Sequence, residues 1–201
     1  MIEYKIDKDN PNPVIIQKAA EAIINGKVVI FPTDTSYGLA ANPISEQAIE
    51  RLYLIKNDLK KKPISVIVRD KQMAKKYAVI ENESEKFFDK YLPGSVTLIY
   101  PAKREDFLPN QNPSFRIPGT PLTNMLSDLL DFPYTATSAN LTRYEPAYTP
   151  EKIYEYFKSN KPQPDIFLNA GELEINPPST VVDLITTPPK IIRQGPTKID
   201  L

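Results

Sequence analysis

Two rhythms of apolar residues alternate along this chain: helical spacings of three and four, and short runs that are apolar at nearly every position. Ile16, Ala19, Ala20, Ile23 and Ile24 share one face of a predicted helix from Pro13 to about Asn25. Asn12 suits its N-cap, Pro13 its first position and Gly26 its stop. Lys27–Phe31 is apolar after its first residue, the pattern of a strand covered on both faces, and Pro32 ends it. A polar turn leads to Leu39 and Ala40. Ser45–Lys56 returns to the helical spacing, with Ala48, Ile49, Leu52 and Ile55 inward, and a basic loop at 57–62 precedes a buried strand at Ile64–Val68.

The second half continues the alternation. Lys71–Tyr77 and Ser84–Tyr91 read as short helices, and Pro93-Gly94 sets off a strand at Val96–Tyr100. Pro101–Ser114 is irregular, and Phe115–Ile117 is a short strand. Thr120-Pro121 opens a helix with Leu122, Met125, Leu126 and Leu129 on one side. Tyr134–Thr137 is a strand that stops at Ser138-Ala139-Asn140. Thr149-Pro150 starts a helix to about Lys158, and strands follow near 166–168, 180–185 and 190–193. Interleaved strands and helices predict an α/β fold with a mixed sheet. With no internal repeat, low-complexity tract or linker, residues 1–201 read as a single domain.

Composition narrows the chemistry. Cys and His are both absent, which excludes a disulfide, a thiolate nucleophile, a Ser-His-Asp triad and a His- or Cys-bound zinc. Acid–base work falls to carboxylates, lysines, tyrosines, the substrate or water. Lys+Arg and Asp+Glu balance at 25 each, so any nucleotide or nucleic-acid site is a local patch. No apolar run approaches the roughly 20 residues of a membrane span, and Met1–Asn12 lacks a secretory core, so a soluble, cytoplasmic protein is expected. There are 21 prolines, consistent with rigid turns. The six glycines are scattered, and neither G-x-x-x-x-G-K-[ST] nor G-x-G-x-x-G occurs. A bound phosphate would have to rest on side-chain cations and on backbone N–H groups at turns or helix starts.

Several short segments combine polarity with a strand end. Thr33-Asp34-Thr35-Ser36-Tyr37-Gly38 follows a buried strand, where open α/β sheets build ligand sites; equally, such hydroxyls serve their own backbone in a turn. Lys56 and Lys60-Lys61-Lys62, with Arg69, Lys71, Lys75 and Lys76, make 56–76 locally basic, a pattern usually no more than a solvated face. Arg116 and Arg193 lie by short apolar strands, where a guanidinium needs an anionic partner. Ser138-Ala139-Asn140 and Ser179 sit at strand boundaries, positions that more often hold caps than ligands.

The ordered set 27–39 (Lys-Val-Val-Ile-Phe-Pro-Thr-Asp-Thr-Ser-Tyr-Gly-Leu), 93–98 (Pro-Gly-Ser-Val-Thr-Leu), 116–118 (Arg-Ile-Pro), 138–140 (Ser-Ala-Asn), 179–183 (Ser-Thr-Val-Val-Asp) and 193–195 (Arg-Gln-Gly) resembles the YrdC/Sua5 family over roughly residues 12–196. The last motif lies near the end of the sequence, as in the short, single-domain members. The resemblance implies a twisted YrdC/RibB-like fold around a concave, positively charged cavity. It also implies the reaction L-threonine + bicarbonate + ATP → threonylcarbamoyl-AMP + pyrophosphate, with the product passing to proteins that make threonylcarbamoyladenosine in tRNA. The family was also noted for binding tRNA and double-stranded RNA.

By this resemblance, Thr33, Tyr37 and Arg116 would hold threonine, Lys56 and Arg193 would face phosphates, and Ser138, Asn140 and Ser179 would bond the nucleotide. Lys56 and Arg116 would be the catalytic cations, and Mg2+ would travel with ATP and need no protein cage. The family's Lys-x-Arg is Lys56-Asn57-Asp58 here, which would set a carboxylate where triphosphate is expected, unless Lys60, Lys61 or Lys62 compensates. Asp34 stands for the commoner Glu and Ser36 for a usual Val, and the following strand, Ser65-Val66-Ile67-Val68, lacks the His of longer members. Three readings stay open: the synthase, a YciO-like paralogue that binds nucleotide or RNA with reduced chemistry, and an RNA-binding module.

Overall fold

The computed structural model describes residues 1–104, 107–108 and 111–201. The chain builds β1 (Ile2–Lys5), α1 (Pro13–Ile24), β2 (Val29–Pro32), β3 (Tyr37–Ala40), α2 (Glu46–Lys56), β4 (Val66–Ile67), α3 (Lys71–Lys75) and α4 (Asn82–Tyr91). It continues with β5 (Val96–Ile99), β6 (Ser114–Arg116), α5 (Pro121–Asp128), β7 (Tyr134–Thr135), β8 (Thr137–Ser138), α6 (Pro150–Phe157), β9 (Ile166–Asn169), β10 (Thr180–Asp183) and β11 (Lys190–Arg193). The mixed α/β expectation holds. The strands, however, divide into two mixed sheets, ordered β1-β9-β2-β3-β8 and β11-β10-β5-β6-β4-β7. The irregular stretch expected at 101–114 falls partly outside the described residues.

The cap read from sequence at Asn12 is present, and Thr120 and Ser45, read as helix starts, cap their helices too. Asn12 accepts from the Val14 N–H at 2.9 Å, Ser45 from Ala48 at 3.2 Å, and Thr120 from Thr123 at 3.3 Å, each satisfying a donor the first helical turn leaves open. β2 separates two apolar clusters. Val29 and Phe31 face α1 and α5 through Ile16, Ala20, Ile23, Leu122 and Leu126, whereas Ile30 joins the larger cluster with Leu39, Leu52, Ile55, Val66, Leu98 and Phe115. Such a strand needs apolar side chains at successive positions, hence its unbroken run. Leu129, read as inward, is 41% exposed: α5 ends at Asp128, and it is Leu130 that is buried in the cluster with α1.

The expected single strand 134–137 is two short ones. Thr135 pairs with Val66 in the second sheet, while Thr137 and Ser138 pair with Leu39 and Gly38 in the first. Between them the Ala136 N–H donates to Ser65 O at 2.8 Å. The buried Thr135 hydroxyl donates to Leu39 O at 2.9 Å and accepts from the Ala41 N–H at 2.8 Å, stitching the sheets where the chain crosses. Strand ends from both sheets therefore meet at one place. Among the described residues, no helix is long and apolar enough to cross a membrane.

Candidate functional site

A cavity of about 450 Å³ opens at this crossing. Its walls take Thr33, Thr35, Tyr37 and Gly38 from the first hairpin, Pro63 and Ser65 from the approach to β4, and Thr97 from β5. Arg116 comes from β6, Thr137 and Ser138 from β8, Glu145 and Tyr148 from the following loop, and Asn176, Ser179 and Arg193 from the last third of the chain. The size lies within the roughly 300–1,000 Å³ of small-molecule sites. Of the residues singled out from sequence, Thr33, Tyr37, Arg116, Ser138, Ser179 and Arg193 line it, whereas Lys56 and Asn140 do not.

The two guanidiniums are held from one side only. Arg116 is buried, and its Nη2 donates to both Asp34 oxygens at 2.9 and 2.8 Å. Asp34 is itself fixed by Ser95 Oγ at 3.4 Å, and its backbone carbonyl accepts from Asn176 Nδ2 at 3.0 Å. Arg116 Nε is buried without a partner. Arg193 is exposed; its Nε and Nη2 donate to Ser179 O (3.0 Å) and Oγ (3.2 Å), and the Ser179 hydroxyl pairs with Thr97 Oγ1 at 2.8 Å. Nη1 of each arginine has no protein partner among the described residues, leaving donors for an anion. Loss of hydration, then the neighbouring Arg116 charge, lowers the Arg193 pKa, so a negative ligand here would relieve a repulsion already present.

Other assignments are altered by what each group touches. The Tyr37 phenol donates to Gly171 O at 2.7 Å and accepts from the Ala170 N–H at 3.0 Å; burial pushes its pKa up to about 12. Its hydroxyl braces the end of β9. Thr33 Oγ1 donates to Ser36 O at 2.7 Å and accepts from the N–H groups of Thr35 (3.1 Å) and Ser36 (3.2 Å). The hydroxyl-rich turn is therefore self-bonded and cavity-lining at once.

Lys56 is buried at the last turn of α2. Its ammonium donates to Ser138 O at 2.6 Å, Asn140 Oδ1 at 3.0 Å and Asn140 O at 3.2 Å. Desolvation drives its pKa down to about 8; the Asp58 charge opposes the shift and the Lys62 charge adds to it. Asp58, expected among the phosphates, is absent from the cavity lining and buried in the turn after α2, where its Oδ1 accepts from the Lys60 N–H at 3.2 Å. It serves as a nearby countercharge for Lys56.

The basic stretch is substantially neutralised. Lys61 pairs with Glu50, Arg69 with Asp70, Lys71 with Glu85 and Asp89, and Lys75 with Glu85. That pattern suits a solvated face better than a continuous phosphate track.

Sequence reasoning assigned no role to Thr97, Asn176, Glu145 or Tyr148. Thr97 carried a signal, a polar residue inside the apolar run of β5. The other three lie on loops whose approach to the cavity depends on the tertiary fold.

Residues 21–195 match the profile of the Sua5/YciO/YrdC family, described as "Telomere recombination". A Methanocaldococcus jannaschii protein provisionally named threonylcarbamoyl-AMP synthase is 33% identical over 96% of this chain and 90% of its own length. The Pyrococcus abyssi threonylcarbamoyl-AMP synthase is 29% identical over 90% of this chain, which spans only 54% of that longer protein. The structure of P. abyssi Sua5 complexed with L-threonine superposes with a TM-score of 0.87 at 27% identity, covering 97% of this chain and 58% of that one. Escherichia coli YciO gives 0.86 at 26% identity, with 98% of both chains covered.

Proposed function

The chain belongs to the Sua5/YciO/YrdC family, and from that premise we propose that it is a threonylcarbamoyl-AMP synthase working in the cavity at the sheet crossing. The observation that carries the proposal is the convergence of Arg116 and Arg193 on one cavity, each braced through part of its guanidinium and each with an Nη1 lacking a protein partner. Arg116, next to Thr33, would receive the threonine carboxylate, and Arg193 with Ser179 and Ser138 would receive the nucleotide. The cavity would be positively charged on balance only near these arginines, since Asp34 and Glu145 offset them.

In this proposal the threonine amine and bicarbonate condense to a carbamate with loss of water. A carbamate oxygen then attacks the α-phosphorus of ATP, and pyrophosphate leaves with its bond pair. The chain has no His or Cys, so its contribution is to orient the reactants and place fixed cations beside developing charge. Among the described residues, no group of three metal-ligating side chains converges. In this reading Mg2+ would arrive on the triphosphate, coordinated by phosphate oxygens and water. The adenylate would pass to enzymes of tRNA modification.

The test is release of pyrophosphate from ATP that requires both threonine and bicarbonate. Equal release without threonine would reject the reaction. The near full-length likeness to YciO supports a second reading, nucleotide binding with reduced chemistry. Calorimetry showing ATP binding in a protein that never releases pyrophosphate would favour it.

A further inference from the structure

The resemblance would make Lys56 a phosphate contact, but its surroundings argue otherwise. An ammonium has three N–H donors, and three protein oxygens take them: Ser138 O, Asn140 O and Asn140 Oδ1, at 2.6, 3.2 and 3.0 Å. Asn140 Oδ1 also accepts from Ser138 Oγ at 2.7 Å, and Asn140 Nδ2 donates to Tyr144 O. The lysine thus sits at the centre of the 138–144 turn and is not part of the cavity lining to which Ser138 belongs.

The helix end is locked to the same turn. An α-helix leaves its last four carbonyls without intrahelical partners. In α2 they are all satisfied: Tyr53 O by the Asp58 N–H (2.9 Å), Leu54 O by the Asn57 N–H (3.1 Å), Ile55 O by Asn160 Nδ2 (2.8 Å), and Lys56 O by the Thr142 N–H (2.8 Å). Asn57 makes this possible by taking the left-handed conformation, φ 51°. Lys56 therefore grips the 138–144 turn through both its carbonyl and its ammonium.

We propose that Lys56 is a positioning residue, which holds the Ser138–Asn140 turn in its ligand-binding shape from behind and acts on nucleotide through that turn, without touching phosphate. The inference builds on the nucleotide site proposed above. A phosphate contact would require the ammonium to release at least one of its three acceptors. A lysine replaced by arginine shows the difference. Arginine would preserve a phosphate contact, but its flat fork cannot donate to three oxygens converging on one nitrogen.

The experiment measures AMP, ADP and ATP affinities of the wild type, Lys56→Met and Lys56→Arg by calorimetry, with amide hydrogen exchange on each protein without ligand. A positioning role gives the same fold loss for all three nucleotides in both variants. It also gives at least tenfold faster exchange at Asn140 and Thr142, with the β5 amides unchanged. A loss that grows from AMP to ATP, rescue by arginine, or unchanged exchange at Asn140 and Thr142 would each overturn it. If the wild type binds no adenine nucleotide, the proposed function fails, and the exchange result alone decides the role of Lys56.

Discussion

Gly195 fixes where Arg193 can stand, and replacing it with alanine isolates that constraint. A Cβ at this position would lie 2.3 Å from Pro178 O, 2.5 Å from the Thr180 nitrogen and 2.7 Å from the Ser179 carbonyl carbon. All three are backbone atoms, so no side-chain rotation relieves the clash, and the segment after β11 must withdraw by about 1 Å. Overpacking of this kind costs about 1–3 kcal/mol. For a chain of this size each kcal/mol lowers Tm by about 2–4 °C, so Gly195→Ala is expected to melt roughly 2–12 °C below the wild type. The same withdrawal stretches the Arg193 bonds to Ser179 O and Oγ, now 3.0 and 3.2 Å, and breaks the Gly195 N–H bond to Thr180 Oγ1. ATP affinity measured by calorimetry is expected to fall at least tenfold. A Gly195→Ala protein with wild-type Tm and an ATP Kd within twofold of the wild type would refute the tight seat and the role of Arg193 together.

Three further outcomes are expected. Arg116→Lys cannot hold Asp34 and a substrate carboxylate at once, so threonine affinity by calorimetry should fall by about 10- to 100-fold, the worth of a charge-assisted pair; a Kd within threefold of the wild type would count against the site. Asp58→Arg should lower Tm without raising ATP affinity, because it puts a buried cation beside Lys56; a sharp gain in ATP affinity at unchanged Tm would restore the triphosphate reading of position 58. Burial holds Lys56 near pKa 8, below the 10.5 of a free lysine, so below pH 8 both folded and unfolded chains carry its proton and the burial cost is fully present. Between pH 8 and 10.5 the unfolded chain binds more protons, so stability by urea melts should rise relative to Lys56→Met by on the order of 3 kcal/mol; parallel pH curves would exclude it.

Helices were legible because their signals are local: a capping side chain, a proline at the first turn and a 3.6-residue period each act within a few positions. β1 escaped notice because Ile2–Lys5 is largely exposed and its partner, β9, lies more than 160 residues away. β3 was masked by Gly38, which reads as a turn. In the structure the ring of Phe31 would lie 3.1 Å from a Cβ there, so any side chain at that point would crowd the ring. The division into two sheets was equally hidden, because it depends on the chain changing partners across Ala136, from Val66 at Thr135 to Leu39 at Thr137. Site residues were recoverable as types in an order. What each one touches was not, since Lys56 and its acceptors stand 82 and 84 residues apart.

The same non-local contacts show how a chain without His or Cys would build the pocket that the proposed reaction requires. An arginine on a flexible loop would have to be reoriented as charge develops, and that reorganisation would raise the barrier. Here Asp34 and Ser179 hold the two guanidiniums in place before any ligand enters, and those two residues are themselves fixed by Ser95, Asn176 and Thr97. Asp34 also removes part of the charge that Arg116 could offer, so the pocket gains orientation at the expense of raw attraction. For a substrate that carries an amine as well as a carboxylate, that exchange favours selectivity: a bare cation attracts any anion, whereas an arginine with a carboxylate behind it discriminates by geometry.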